Sequence, residues 1–131
     1  MTARRKLWVP ALAAMIALAM PVAAADSPRV LTVLTVKVKG DQDAYVAQLK
    51  KFLAGIKRLD TGGTTRVWRT TLAGSDTRMI FVATEFANLE AMAKGTAKLQ
   101  GDEELRKLRK DLDASGIREI VSDSLFEEIT P

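Results

Sequence analysis

The stretch from Thr64 to Phe86, TTRVWRTTLAGSDTRMIFVATEF, decides the fold that this sequence predicts. Its two ends, Thr65–Leu72 and Thr77–Phe86, are rich in β-branched and aromatic residues, which favour strands. Between them, Gly74-Ser75-Asp76 supplies the residue types that form tight turns. The stretch therefore predicts a β-hairpin at the centre of the domain.

The segment before the hairpin predicts a strand followed by a helix. Val30–Lys39 is dominated by β-branched and apolar residues and ends at Gly40. Asp41 can cap the helix, because a carboxylate suits the positive N-terminal end. Apolar residues then recur every three or four positions and form one helical face. They are Tyr45, Leu49, Phe52, Ile56 and Leu59.

The segment after the hairpin predicts a helix in two pieces and a last strand. Asn88 can cap the first piece, which Gly101 interrupts. Asp102 can cap the second piece, which Gly116 ends. A strand within Ile117–Ile129 completes the order β-α-β-β-α-β. This order predicts an α+β, ferredoxin-like fold, in which two helices cover one face of a four-stranded antiparallel sheet.

Residues 1–25 predict a secretory signal peptide. Arg4-Arg5-Lys6 is its positive start, Leu7–Met20 its apolar core, and Ala23-Ala24-Ala25 a cleavage site, so we predict a cut after Ala25. The apolar core has 14 residues, including Pro10, and falls short of the roughly 20 residues of a membrane-spanning helix. We therefore expect a periplasmic or secreted protein with no stable membrane anchor after cleavage.

The remaining residues, 26–131, predict a single domain, because no linker or internal repeat divides them. The whole chain has 20 basic and 16 acidic residues, and the leader holds three of the basic ones. Its removal leaves 20 − 3 = 17 basic residues against 16 acidic ones, a net charge of +1. Nucleic-acid binding rests on neutralising phosphates, so the composition predicts no nucleic-acid partner.

The strands carry apolar residues at both odd and even positions, for example Phe81 and Ala83 beside Ile80 and Val82. Alternate residues of a strand face opposite sides of the sheet. One apolar set can pack on the helices, whereas the other would leave a large apolar area in water. The simplest arrangement that covers it is a symmetric homodimer in which two sheets face each other.

The element order and the centre RVWRTTLAGSDTRMIFVATEF resemble the dimeric α+β barrel superfamily, which includes the antibiotic-biosynthesis-type monooxygenases. The resemblance covers most of residues 29–129. It implies ligands between sheet and helices or inside the barrel. It also implies a possible chemistry, that of quinone-forming monooxygenases in which the substrate itself donates electrons to oxygen.

The chain contains neither histidine nor cysteine, and this limits the chemistry further. Without cysteine the exported protein has no disulfides. Without histidine it lacks the iron ligand of the haem-degrading members of that superfamily, the bases of Ser-His-Asp and Cys-His systems, and the usual zinc ligands. We therefore predict no cofactor and no metal.

The candidate ligand-binding residues are Trp68, Arg66, Arg69 and Asp123. Trp68 could stack on an aromatic ring, and Arg66 or Arg69 could stabilise a phenolate-like charge. Asp123, or else Glu85, could remove a proton if burial raised its pKa. Strand alternation places Arg66 and Trp68 on one face and Arg69 on the other, so the two arginines cannot clamp one ring.

The competing interpretation is structural. Trp68 would fill core or interface space, and Arg66 would pair with a carboxylate or lie along the ring. Two functions stay open. The favoured one is a homodimer that binds a small apolar or aromatic ligand without catalysis. The alternative is a cofactor-independent monooxygenase acting on a phenolic or quinol-type substrate.

Overall fold

Seven helices and strands follow one another in the computed structural model, which describes residues 27–130 except 72, 73, 75 and 76. The strands are β1 (Val30–Val38), β2 (Thr64–Arg69), β3 (Met79–Phe86) and β4 (Arg118–Glu127), and the helices are α1 (Gln42–Leu59), α2 (Leu89–Gly101) and α3 (Glu103–Ser115). The predicted signal peptide lies outside the described residues. Within them, no helix is both long and apolar enough to cross a membrane.

The four strands form one antiparallel sheet in the order β2-β3-β1-β4. The two central strands, β1 and β3, pair over eight residues from Val30↔Phe86 to Lys37↔Met79. The strands β2 and β4 are the two edges. With the helices on one side of this sheet, the chain has the predicted ferredoxin-like α+β fold.

Local capping explains where the helices begin. The carboxylate of Asp41 accepts the N–H of Asp43 at 2.9 Å, and the side-chain oxygen of Asn88 accepts the N–H of Ala91 at 2.8 Å. Asp102 both ends α2 and caps α3. These contacts satisfy N–H groups that have no partner inside the helix, and they confirm all three predicted caps.

The core lies between the sheet and the helices. Tyr45 and Leu49 of α1 and Leu112 of α3 pack on three strand residues, Val36, Val38 and Ile80. Tyr45 has no exposed surface, which confirms it as the first core residue of the predicted stripe. The later members of the stripe are half-buried: Phe52, Ile56 and Leu59.

The hairpin strands are shorter than predicted. The strand predicted over Thr65–Leu72 spans Thr64–Arg69, and the one predicted from Thr77 begins at Met79. The hydroxyl of Thr70 accepts the N–H of Met79 at 3.1 Å, so a side chain takes the place of a ladder hydrogen bond there. The composition predicts a strand here because Thr70 is β-branched, but it does not show that the Thr70 hydroxyl competes with the backbone for the N–H of Met79.

Candidate functional site

The side of the sheet away from the helices is the open face. Its residues follow from the register, because Trp68 pairs with Phe81, Phe81 with Thr35, and Thr35 with Ser122. A second row runs from Arg66 through Ala83 and Val33 to Ser124, and a third from Thr64 through Glu85 and Leu31 to Phe126.

Large apolar side chains on the open face remain accessible to solvent. Trp68 is 61% exposed and Phe126 is 53% exposed, and they stand on the two edge strands. Smaller side chains lie between and beside them, among them Thr35, Ala83, Ser122 and Ser124. The open face therefore mixes large aromatic groups, with Phe81 on the central strand β3 among them, with small side chains on β1, β3 and β4.

Trp68 and Arg66 share the open face, two residues apart on β2. Arg66 is exposed and forms no ion pair with the described residues. Its guanidinium is free to meet an anionic or polar ligand. The structural interpretation, in which a carboxylate of the same subunit pairs with Arg66, has no support in the described residues.

Arg69 and Asp123 lie on the helix side of the sheet. Arg69 pairs with the core residue Ile80, and Asp123 pairs with Leu34, which packs against the core. Two strands separate Arg69 on β2 from Asp123 on β4. One subunit therefore does not bring Asp123 or Arg69 together with Trp68 and Arg66, and the four candidates form no single pocket within it.

The predicted proton acceptors are also poorly buried. Asp123 is exposed. Glu85 does lie on the open face, but its side chain is 44% exposed and contacts the guanidinium of Arg29 at 3.2 Å. Neither carboxylate meets, within one subunit, the condition of burial that the sequence-based hypothesis required.

A charged cluster borders the open face at the end of the sheet, and the sequence-based reasoning missed it. Arg29 donates two hydrogen bonds to Glu128, at 2.7 and 3.0 Å, and a third to Glu85. The hydrogen bond from Arg29 lowers the pKa of Glu128, and the two carboxylates raise the pKa of Arg29. A hollow of about 250 Å³ lies beside this cluster, with Leu31 and Phe126 in its wall.

A cavity of about 400 Å³ lies on the helix side, between α1 and the start of β2. Leu53 and Ile56 give it an apolar wall, and Thr64 and Thr65 also line it. The Thr65 hydroxyl is also 2.9 Å from that of Thr84. This cavity has a size that suits a small ligand, but it contains none of the four predicted site residues.

A metal site is not evident in the described part of the chain, where no group of three or more acidic, histidine or cysteine side chains converges. Asn88, whose side chain caps α2, has its oxygen committed to the N–H of Ala91. Polar side chains of the open face that a ligand could contact include Arg66, Thr64, Ser122 and Ser124, whereas Thr35 is buried and Glu85 is paired with Arg29.

Comparison with known proteins gives a fold but no family. No family model and no curated protein matches the chain. Among solved structures, SnoaB, a cofactor-independent oxygenase from Streptomyces nogalater, is 13% identical with a TM-score of 0.59, over 80% of this chain and 97% of that chain. A NIPSNAP family protein of unknown function from Agrobacterium tumefaciens is 14% identical with a TM-score of 0.62, over 79% and 92% of the two chains.

A dimeric ferredoxin-like protein from an uncultured marine organism is also similar. It is 13% identical with a TM-score of 0.63, and the match covers 80% of this chain and 99% of that chain. At such identities the likeness is one of fold alone. The chain thus has the ferredoxin-like α+β fold that SnoaB and the NIPSNAP-type structures share.

Proposed function

We propose that this protein is an exported homodimer that binds a small aromatic or apolar ligand between two facing sheets, without catalysis. The observation that carries the proposal is the open face, where Trp68 is 61% exposed at one edge. Exposed apolar patches of this kind usually mark interaction surfaces. The similarity to a dimeric protein of the same fold supports the proposal that a second copy of this chain covers the open face.

The pattern of side-chain sizes supports a cavity rather than a filled interface. Facing sheets lie about 10 Å apart, and interdigitated side chains normally fill that space. Here the small side chains of Ala83, Ser122 and Ser124 lie beside the larger Trp68 and Phe81 on the open face, so we expect room for a ligand next to the two rings. The expected ligand is a flat ring that stacks on Trp68 and carries an oxygen or anionic substituent towards Arg66.

Export is part of the proposal and rests on the sequence of residues 1–25. The full-length gene is expressed, and the intact mass of the exported product is measured. Loss of residues 1–25 is the expected result. An intact leader in the exported fraction would contradict the proposed cut after Ala25.

Trp68 provides a direct assay of ligand binding. The chain has two tryptophans, Trp8 in the leader and Trp68, so the processed protein reports on the open face alone. We expect the anionic aromatic dye anilinonaphthalene sulfonate to change Trp68 emission with saturation. Native mass spectrometry of the freshly exported protein adds a search for a small molecule that the dimer carries.

Matched variants decide where the dye binds. Trp68→Phe keeps an aromatic ring on the open face, and Ile56→Trp fills the helix-side cavity instead. Binding to these variants is measured by the fluorescence of the dye itself, because Trp68→Phe has no Trp68 emission. Weaker binding with Arg66→Ala and unchanged binding with Ile56→Trp support the open face. The reverse pattern would move the site to the helix side, and no saturable binding to any variant would contradict the proposal.

A cofactor-independent oxygenase is the second candidate, favoured by the fold similarity to SnoaB and by Arg66 and Trp68 on one face. A phenolic substrate would supply the electrons that reduce oxygen, and Arg66 would stabilise its anion. The weak point is the proton acceptor, because Glu85 is paired with Arg29. Oxygen uptake with a panel of hydroquinones and anthrones tests it, and a flat trace for every compound would remove this function.

A further inference from the structure

A hollow of about 190 Å³ lies where the three helices meet, and it shares no lining residue with the helix-side cavity. Its described lining comes entirely from helices: Phe52 of α1, Leu99 and Gln100 of α2, and Leu105, Arg106 and Arg109 of α3. The open face belongs to the sheet, so neither the proposed dimer nor its ligand uses these residues. The hollow is therefore a separate candidate site within one subunit.

The break between α2 and α3 shapes the hollow. Asp102 separates the two helices, because its backbone is extended, with φ −84° and ψ 120°. The guanidinium of Arg58 on α1 holds this break through a contact of 2.9 Å with Asp102. In a continuous helix, residues six positions apart would point in directions about 120° apart. The break instead lets Leu99 and Leu105 line one hollow.

The floor of the hollow is apolar. Leu105 is buried, and Phe52 and Leu99 are half-buried. Leu105 packs closely on α1 at Gly55, where an added Cβ would lie 2.5 Å from the Leu105 side chain. Because Gly55 admits this close approach, Phe52, one turn earlier on α1, lines the same hollow as Leu105. Such a floor favours an aliphatic chain over water.

The rim of the hollow carries positive charge. Arg106 and Arg109 are three residues apart, so they lie on the same side of α3. Arg109 is exposed and forms no ion pair with the described residues. Arg106 lies 3.9 Å from Glu103, whose side chain is 93% exposed, and exposed pairs of this kind bind weakly. No carboxylate belongs to the described lining, so both guanidinium groups border an apolar space without a counter-ion inside it.

We propose that this hollow binds an amphiphilic carboxylate, with its aliphatic chain on the apolar floor and its carboxylate at the guanidinium groups of Arg106 and Arg109. The planar guanidinium can donate two parallel hydrogen bonds to a carboxylate. The amide of Gln100, before the break, can donate another. The hollow of about 190 Å³ is smaller than the roughly 300 Å³ at which sites for drug-sized molecules begin, so the ligand is a short-chain monocarboxylate.

Sodium octanoate is the probe for this site, and the protein without residues 1–25 is labelled with nitrogen-15 for NMR. We expect the amide signals of Leu99, Leu105 and Arg109 to move with saturation. Acetate has the carboxylate without the chain, and it should bind at least tenfold more weakly, since each methylene that enters the hollow tightens Kd by up to about fourfold. Octylamine has the chain without the carboxylate, and it should not saturate these signals.

A matched pair of variants tests the role of the rim. Arg109→Gln removes the unpaired charge and keeps a long polar side chain, so we expect the octanoate Kd to weaken roughly fivefold or more. Lys110→Gln removes the same charge at the next residue, which lies outside the hollow, and should leave Kd unchanged. Both side chains are exposed, so both variants should fold as the wild type does.

Three results would overturn this inference. The first is the absence of saturable shifts at the helix junction, including shifts confined to strand residues. The second is equal weakening by Arg109→Gln and Lys110→Gln, which would show only a general attraction of anions to the helices. The third is octylamine binding as tight as that of octanoate. Each result leaves the proposed function intact, because that function rests on Trp68 and the open face.

Discussion

Truncation of Trp68 separates assembly from folding. A tryptophan side chain presents up to about 250 Å², and Trp68 is 61% exposed in the subunit, so roughly 150 Å² remains to be buried. At about 25 cal/mol per Å² this area corresponds to about 4 kcal/mol per subunit as an upper value. We therefore expect Trp68→Ala to weaken the dimer Kd by roughly a hundredfold or more.

The fold of the subunit should barely respond to the same change. Substitutions of exposed side chains usually alter the free energy of unfolding by about 0.5 kcal/mol or less. Urea unfolding of the subunit, at protein concentrations below Kd, measures that free energy, and sedimentation equilibrium measures Kd. Leu89→Ala is the matched control, because Leu89 is 51% exposed on α2, away from the open face. We expect the control to change neither quantity.

Two outcomes would refute this reasoning about Trp68. An unchanged dimer Kd in Trp68→Ala would show that the open face is not the contact surface. A loss of several kcal/mol in the unfolding of the isolated subunit would show that Trp68 serves the subunit's own packing.

Four further variants test the subunit itself. Gly95→Ala would put a Cβ 2.5 Å from the carbonyl oxygen of Thr61, so we expect it to lower the free energy of unfolding by about 1–3 kcal/mol. Gly101→Ala is the control and should be neutral or slightly stabilising, because a Cβ there would meet nothing within 4 Å. Equal effects of the two substitutions on the free energy of unfolding would contradict the packing around Gly95. Tyr45→Phe removes a buried hydroxyl that has no hydrogen-bond partner among the described residues, so urea unfolding should show equal or greater stability. A loss above about 1 kcal/mol would reveal a partner for this hydroxyl. Hydrogen bonds from the backbone N–H of Leu105 and from the side chain of Arg58 lower the pKa of Asp102. Its contribution to stability is therefore present above the unfolded pKa of about 3.9 and disappears as pH falls through the folded pKa. The melting-temperature difference between wild type and Asp102→Asn should shrink below about pH 4, and a constant difference would argue against this titration.

Local signals in the sequence were sufficient for the order and the limits of the helices. Asp41, Asn88 and Asp102 act within three residues of their own position, so their capping role can be derived from composition and spacing. The same holds for Gly116, whose φ of 65° ends α3 in the left-handed region. The role of Gly95 is not local, because a Cβ at that position would lie 2.5 Å from the carbonyl oxygen of Thr61.

Contacts between distant segments could not be predicted in the same way. A β-bulge between Thr35 and Val36 shifts the pairing of β4, because Thr35 pairs with Ser122 and Val36 with Ile120. The shift places Ile120 and Asp123 on the same side despite their odd spacing, so alternation alone cannot assign the face of Asp123. The pairing of Arg29 with Glu128 likewise depends on which strand ends meet.

In the candidate site, too, local positions could be predicted from the sequence and long-range positions could not. Alternation along β2 suffices to put Arg66 with Trp68 and Arg69 opposite, and the register agrees. Asp123 does not join them, because the bulged pairing of β4 places it on the helix side. A single chain's pattern of apolar residues indicates that a face needs a cover, but it does not define the molecule that covers it.

The mass in solution of the wild-type protein without residues 1–25 tests the central claim most directly. Light scattering at micromolar concentration, with Trp68 emission recorded on the same sample, should give a dimer whose tryptophan is shielded from water and becomes exposed on dilution to the subunit. A monomer at that concentration, with Trp68 emitting as a water-exposed residue, would contradict the account.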